Sequence, residues 1–268
     1  MSGGVCKVSV IIPSYNHERY IGEALSSVLG QVGNNYALEV IVIDDGSTDS
    51  SVDVLKALHS SSTVPFELVL KKNEGLCKTL NRAINDYATG EYIAIIASDD
   101  VWCLDKLTKQ IEHLKNNADS ELCYSNAKVF GTNVREKKSS KFLFSGHVKS
   151  VLTLYNFIPA GTILFSKGLY ETVGGFDQNG LLLEDWDFLL RASSETKFCY
   201  LDDELLFYRQ HGESAIAKMR RGGYLYAEKM KVLKKNKAIL NPCLNVASSC
   251  LHFILDVLLR PVLIKLKG

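Results

Sequence analysis

The sequence predicts an α/β protein: a Rossmann-like, mostly parallel central sheet flanked by helices, followed by a C-terminal helical extension. Two observations carry this. In the first half, short β-branched apolar runs alternate with segments of helical periodicity. Two of the apolar runs end in acidic pairs, Asp44-Asp45 and Asp99-Asp100. In open parallel sheets, ligands bind beyond the carboxyl ends of the strands.

Lys7 to Pro13 (KVSVIIP) is a buried strand by its unbroken apolar run. Glu18 to Gln31 has helical spacing through Ile21, Ala24, Leu25, Val28 and Leu29. Leu38 to Ile43 is the second strand, and Ser47 or Thr48 then caps a helix with Asp49 in its first turn. Phe66 to Lys71 is a strand, Glu74 to Tyr87 a helix, and Glu91 to Ala97 a strand. Leu104, Leu107, Ile111 and Leu114 mark one face of a further helix. Beyond about Glu121 the rhythm breaks. Leu122 to Tyr124 and Ala127 to Phe130 are short strand signals, and 133–140 (NVREKKSS) reads as a loop. Thr162 to Phe165 is a strand, Glu184 to Ser194 a helix, and Phe198 to Leu201 and Leu205 to Arg209 two strands.

Composition is ordinary for a globular chain of 268 residues, with 46% hydrophobic and 23% charged residues. The 7 cysteines include no C-x-x-C pair. Without a leader-like first segment, reduced thiols in the cytosol are expected, and neither a zinc site nor a catalytic cysteine is indicated. Net charge is +1, yet from Phe207 onward 12 Lys/Arg stand against 3 Asp/Glu. This basic tail suits an anionic surface or substrate, or simply solvated helices. It lacks the interleaved aromatics of a nucleic-acid module, so nucleic acid is not an expected partner. No stretch reads as a good transmembrane span; 244–266 carries Asp256, Arg260 and Pro261. There His252, Asp256 and Arg260 fall on one helical face, with Leu251, Ile254, Leu255, Leu258, Leu259 and Val262 away from it. Such an amphipathic segment suits a membrane surface, the protein's own core or a second subunit as a homodimer.

Several residues can carry chemistry. Asp99 and Asp100, adjacent carboxylates at a strand end, repel each other unless a cation such as Mg²⁺ or Mn²⁺ intervenes or water solvates the turn. Asp44 and Asp45 can accept hydrogen bonds from a base or ribose, or form a plain turn. Tyr15 can stack on a nucleobase or be a surface tyrosine. Lys78 and Arg82, one turn apart, can meet a diphosphate. Glu184 and Asp185 open a helix, whose N-terminal end favours the ionised form; a carboxylate there can deprotonate a hydroxyl or merely cap. His211 can ligate a metal, meet a phosphate or be structural. No P-loop, G-x-G-x-x-G after the first strand, G-x-S-x-G or H-E-x-x-H is present.

The order of these signals is more specific than any one. V-S-V-I-I-P-S-Y-N (Val8 to Asn16), V-I-V-I-D-D-G-S-T-D (Val40 to Asp49), Asn73-Glu74-Gly75, G-E-Y-I from Gly90, Ala97-Ser98-Asp99-Asp100, Val173-Gly174-Gly175-Phe176-Asp177, Glu184-Asp185 and Tyr208-Arg209-Gln210-His211 together resemble glycosyltransferase family 2. The likeness covers about residues 7 to 215. It implies a GT-A fold in 1–215, with a nucleotide-sugar half (about 1–120) and an acceptor half (about 121–215). Residues 216–268 then form the basic, amphipathic tail.

The resemblance also implies roles. Pro13 and Tyr15 line the base pocket, Asp45 bonds a uracil base, and Asp44 is a lesser contact. Asp99 approaches the ribose or a basic partner. Asp100 ligates Mn²⁺ or Mg²⁺, and His211 sits near the diphosphate or metal. Asp185 is the catalytic base, with Glu184 beside it. Ala97 takes the first place of the usual D-x-D, so the last Asp is expected to suffice. The implied reaction is inverting transfer of a hexose from a UDP-sugar to a saccharide acceptor. For bacterial surface polysaccharides such as O-antigen or capsule, that acceptor is undecaprenyl-diphosphate-linked, at the inner face of the membrane. A sugar nucleotidyltransferase would need a Gly-rich basic loop where Pro13-Ser14-Tyr15-Asn16 stands. A non-catalytic binder would not need Asp100 and Asp185, and a glycoside hydrolase would not need a diphosphate metal motif.

Overall fold

The computed structural model describes residues 5–131, 136–139 and 143–259. Its strands are β1 Cys6–Ser14, β2 Tyr36–Asp44, β3 Glu67–Leu70, β4 Tyr92–Ile95, β5 Val101–Trp102, β6 Ser120–Gly131, β7 Lys137–Lys138, β8 Leu164–Ser166 and β9 Lys197–Gln210. The helices α1 Ile21–Leu29, α2 Ser51–Ser61, α3 Leu76–Arg82 and α4 Lys106–Lys115 alternate with the early strands. Later come α5 Lys149–Leu154, α6 Lys167–Thr172, α7 Glu184–Glu195, α8 Ala215–Arg221, α9 Leu225–Lys235 and α10 Pro242–Phe253, which a π-turn extends through Leu259.

One mixed sheet runs in the order β3-β2-β1-β4-β8-β6-β9-β5, with β7 paired to β6. β3, β2, β1 and β4 are parallel. β8 runs antiparallel between β4 and β6, β9 is parallel to β6, and β5 is antiparallel to β9. Period-two alternation splits the apolar side chains between two cores. Val8, Val10, Ile12, Val40, Val42 and Ala94 enter one, while Ile11, Ile41, Ile43 and Ile93 enter the other. Both faces are thus covered, as the unbroken apolar runs require.

Register places the chemistry. Ser14 pairs with Asp44 and Ile11 with Ile95, so β1, β2 and β4 end along one edge. The two-residue β5 follows Asp99-Asp100 directly and pairs Val101 with Phe207 and Trp102 with Leu206. That pairing carries the acidic pair to Tyr208-Arg209-Gln210-His211.

The second half differs from the sequence expectation in continuity. Each pair of short strand signals is one long strand, β6 and β9. Ser125 pairs Leu201 while Asn126 pairs Glu204, so Asp202 and Asp203 bulge out of register. That polar insertion is what reads as a gap in the pattern. α2 begins after Ser50, whose side chain makes no capping bond, rather than at Ser47 or Thr48; Ser47 is bonded to Asp44. Within the expected loop at 133–140, residues 137–138 form β7; 133–135 and 140 lie outside the described residues.

The C-terminal extension joins the main core through Met219, Leu225, Val232, Leu233 and Leu240. Lys235 and Asn236 then reach fully buried Asp187 on α7, at 2.8 Å each, and Lys235 also meets Asp177 at 2.6 Å. α10 is oriented opposite to a core helix. Ser248, His252 and Asp256 face the protein, whereas Leu251, Ile254, Leu255, Leu258 and Leu259 are exposed. Core packing of its apolar side, one of the three sequence-level alternatives, is thereby ruled out for these residues; Arg260 and Val262 lie outside the described residues.

Candidate active site

Asp44 is 1% exposed, and its carboxylate accepts hydrogen bonds from the Ser14 hydroxyl (2.9 Å), the Ser47 amide (2.8 Å) and the Ser47 hydroxyl (2.7 Å). It therefore shapes the turn and faces inward. Gly46 has φ 73°, and a Cβ there would lie 2.7 Å from the Asn73 amide nitrogen, so glycine is required. Asp45 pairs with Lys71 and accepts from the amides of Glu74 (2.8 Å) and Gly75 (2.9 Å). These bonds tie the 73–75 loop to β2 and leave little accepting capacity beyond one lone pair on Oδ2. Tyr15 is 47% exposed beside this edge and Pro13 is half-buried. Lys78 is exposed on α3, whereas Arg82 is engaged by Glu74 at 3.2 Å.

Asn16 adopts φ 54°, a left-handed turn stabilised by its side chain accepting from the Thr48 amide at 2.8 Å. The turn sends His17 across to the segment that follows β4, where Nδ1 lies 2.7 Å from the Ser98 hydroxyl. Burial holds the His17 imidazole below its usual range. On the other side, Asp99 Oδ2 is 2.8 Å from His211 Nε2. Among the described residues, His17, Asp99 and His211 are the group able to share one metal ion, with ligand atoms within 4.8 Å of one another.

The donor set fits a divalent metal. It offers two imidazole nitrogens and a carboxylate oxygen, and His211 Nδ1 is buried with no partner among the described residues. Tyr20 braces the His211 ring at 4.9 Å between centroids, and Arg209 lies against Tyr20 and Phe130. Asp100 is outside this group. Its carboxylate turns inward to accept from the Arg209 amide at 2.8 Å, and burial, then the Asp99 charge, pushes it well above the usual carboxylate range. The sequence points to Asp100 and His211 as metal ligands and to a ribose or basic-partner contact for Asp99; in the structure it is Asp99, not Asp100, whose carboxylate stands with His211.

The second acidic pair opens α7. Asp185 Oδ2 accepts from Asn156 Nδ2 at 2.8 Å, and the Asn156 carbonyl oxygen accepts from the Ile158 amide at 3.2 Å, which fixes the side-chain orientation. Burial raises Asp185 above its ordinary value despite these bonds. Burial, then the neighbouring Asp185 charge, pushes Glu184 up to about 8. A carboxylate with a raised pKa is suited to proton transfer near neutral pH.

Burial first, then the charges of Asp100 and Asp99 and, more weakly, that of Asp185, push the Tyr208 hydroxyl up to about 12. Burial, then the Glu184 charge, pushes the thiol of Cys77, on α3 after the Asp45-bound loop, up to about 12. Asn81, also on α3, donates to the Phe176 carbonyl at 2.7 Å. His17, Asn156, Arg209 and Tyr20 are the residues that sequence reasoning missed. His17 directly follows the Pro13-Ser14-Tyr15-Asn16 run, and a histidine at that strand end was the available signal. Asn156 gives none, because only the fold brings it to Asp185.

Residues 9–174 match the family profile described as glycosyl transferase family 2. An uncharacterized glycosyltransferase of Nostoc sp. is 28% identical over 77% of this chain and 65% of its own length. The Escherichia coli protein named UDP-Glc:alpha-D-GlcNAc-diphosphoundecaprenol beta-1,3-glucosyltransferase WfgD is 38% identical over 47% of this chain and 47% of its own. The chain spans between 33% and 70% of the length of the first curated relatives it matches. Among solved structures, Staphylococcus aureus TarS 1-349 in complex with UDP-GlcNAc superposes with TM-score 0.69 at 20% identity, over 93% of this chain and 73% of that one. Mannosyltransferase PcManGT of Pyrobaculum calidifontis, in complex with GDP-Man and Mn²⁺, superposes with TM-score 0.67 at 18% identity, over 94% and 71%. The fold is the one these structures share, GT-A.

Proposed function

The chain belongs to glycosyl transferase family 2, and from that premise we propose that it transfers a hexose from a UDP-sugar to a saccharide hydroxyl with inversion. The observation that carries the reading is the His17, Asp99 and His211 donor group, set just past the carboxyl ends of β1 and β4. It supports a diphosphate-binding end, and the Asn156 bond that orients Asp185 at the start of α7 supports a proton-accepting group. Tyr15 stacks on the base over Pro13, and Asp45, through its free lone pair and the loop it anchors, helps to frame the base. Lys78 offers a cationic contact to the diphosphate. His17, Asp99 and His211 would hold Mn²⁺ or Mg²⁺, with imidazole ligands favouring Mn²⁺ over the harder Mg²⁺, and a cation there would supply positive charge to a nucleoside diphosphate leaving group.

Asp185, positioned by Asn156, takes the proton of the acceptor hydroxyl as that oxygen attacks the anomeric carbon from the face opposite the diphosphate. Glu184 beside it contacts acceptor or donor sugar. The bonds around Asn156, Asp185 and Arg209 fix these groups before substrate arrives, which lowers the reorganisation needed during transfer. The diphosphoundecaprenol-linked acceptor in the E. coli relative's name supports a lipid-diphosphate-linked acceptor, as in O-antigen or capsule assembly. Such an acceptor sets the work at the cytoplasmic face of the membrane.

Asp185→Asn tests the reading. Transfer should fall at least about a thousandfold while UDP binding by calorimetry stays within about twofold. Loss of UDP binding in this variant would reject the assignment.

A further inference from the structure

We propose that α10 and its continuation to Leu259 dock in the plane of an anionic lipid surface with their apolar side toward the lipid. The proposal rests on the reading that the acceptor is lipid-linked and names the surface-binding element. Three observations carry it. The helix is fixed to the protein by a narrow polar stripe. The Ser248 hydroxyl donates to the Leu154 carbonyl at 3.2 Å, His252 packs edge-on against Trp186 at 5.5 Å, and Asp256 pairs with Lys229 at 2.7 Å. These contacts set the rotation of the helix and turn its apolar side outward.

That side is large. Val246 is 65% exposed and Leu258 53%, with Leu251, Ile254, Leu255 and Leu259 also exposed. In length and composition Pro242–Leu259 is apolar enough to cross a bilayer, yet only 11% of it is buried in the protein. Contiguous exposed apolar surface of this kind marks an interaction face. The committed polar stripe favours lying in the interface over spanning it, since Asp256 and His252 would otherwise enter hydrocarbon.

Charge selects the occupant. Residues 215–259 hold 8 Lys/Arg against 2 Asp/Glu, and 260–268 (RPVLIKLKG) add 3 basic residues and no acidic ones. Lys234 and Lys237 are exposed. The stretch 215–268 as a whole is thus strongly basic. An anionic lipid headgroup layer is complementary to it.

The experiment is vesicle flotation of the full chain, comparing phosphatidylglycerol/phosphatidylethanolamine vesicles with pure phosphatidylcholine. The wild type should float with the anionic vesicles, more weakly as salt rises from about 0.05 to about 0.5 M. Leu255→Ser/Leu258→Ser should lower the partition coefficient at least about tenfold. Both residues are exposed, so the thermal melt should not change. Carbonate wash should release the bound wild type. Equal binding by the double variant, no anionic preference, resistance to carbonate, or a solution dimer that the double variant abolishes would each overturn the proposal. Transfer to a water-soluble short-chain acceptor should be unchanged in the double variant. Failure of the wild type in that assay, with vesicle binding intact, would count against the enzymatic reading and not against docking.

Discussion

Replacing Asn156 by Leu removes the 2.8 Å hydrogen bond to Asp185 while keeping the side chain's approximate volume. The amide cannot flip to present its oxygen, because that oxygen is held by the Ile158 amide. The lost bond is one to an ionised acceptor, worth about 1.5–3 kcal/mol. At about 1.4 kcal/mol per pKa unit, Asp185 should rise by about 1 to 2 units beyond the elevation that burial already imposes. If Asp185 is the base proposed above, transfer needs it ionised, and the acid limb of the kcat–pH profile should move to higher pH by that amount. The alkaline plateau should stay within a few-fold of wild type. Asn156→Asp should move the limb further, since a second carboxylate beside the first disfavours its ionisation. The assay is release of UDP across about pH 5–9. A uniform drop in rate with an unmoved limb would refute the positioning argument and leave Asn156 a structural residue.

Lys106 is fully buried, bonded to Gln110 at 2.6 Å and set 4.0 Å over the Trp102 ring, and burial drives it down to about 7. Its folded pKa lies below the unfolded value of about 10.4, so the destabilisation is complete below about pH 7 and fades as pH rises toward 10. Lys106→Met should therefore gain up to about 4 kcal/mol in urea unfolding at pH 6, and the difference from wild type should vanish near pH 10; a pH-independent difference would sink this. His17→Gln should weaken Mn²⁺ binding, read by electron paramagnetic resonance, by about ten- to a hundredfold, whereas Asp100→Asn should change it far less; the opposite order would return the ligand role to Asp100. Lys235→Met withdraws one cation from fully buried Asp187 and should cost about 1–3 kcal/mol in urea unfolding. An unchanged midpoint would mean that Arg191 and Asn236 suffice.

The parallel half of the fold was legible because its strands are buried on both faces and need no partner to explain their apolar runs. β1, β2 and β4 fall close to where the pattern puts them, and the acidic pairs stand at their ends. β6 and β9 were legible only in pieces. Ser125, Asn126, Asp202 and Asp203 interrupt the apolar pattern, and only strand pairing reveals that the ladder continues through them. The site followed the same division. Asp99 and Asp100 were visible as a pair, but their division of labour depends on β5 pairing with β9, which turns one carboxylate to His211 and the other to the Arg209 amide. Asn156 meets Asp185 across 29 residues through tertiary packing alone. In α10 the amphipathic stripe holds as far as Leu259, but periodicity cannot state which side faces the protein. Lys229 and Trp186 decide that, by meeting Asp256 and His252.

The most direct test of the central claim, one cleft joining a metal-held diphosphate to a proton-accepting carboxylate, is product analysis after incubation of the chain with UDP-hexoses, Mn²⁺ and a synthetic lipid-diphosphate sugar. Mass spectrometry should show one added hexose, and nuclear magnetic resonance an anomeric configuration opposite to the donor's. A product that retains the donor configuration, or undiminished product with Asp185→Asn, would contradict it.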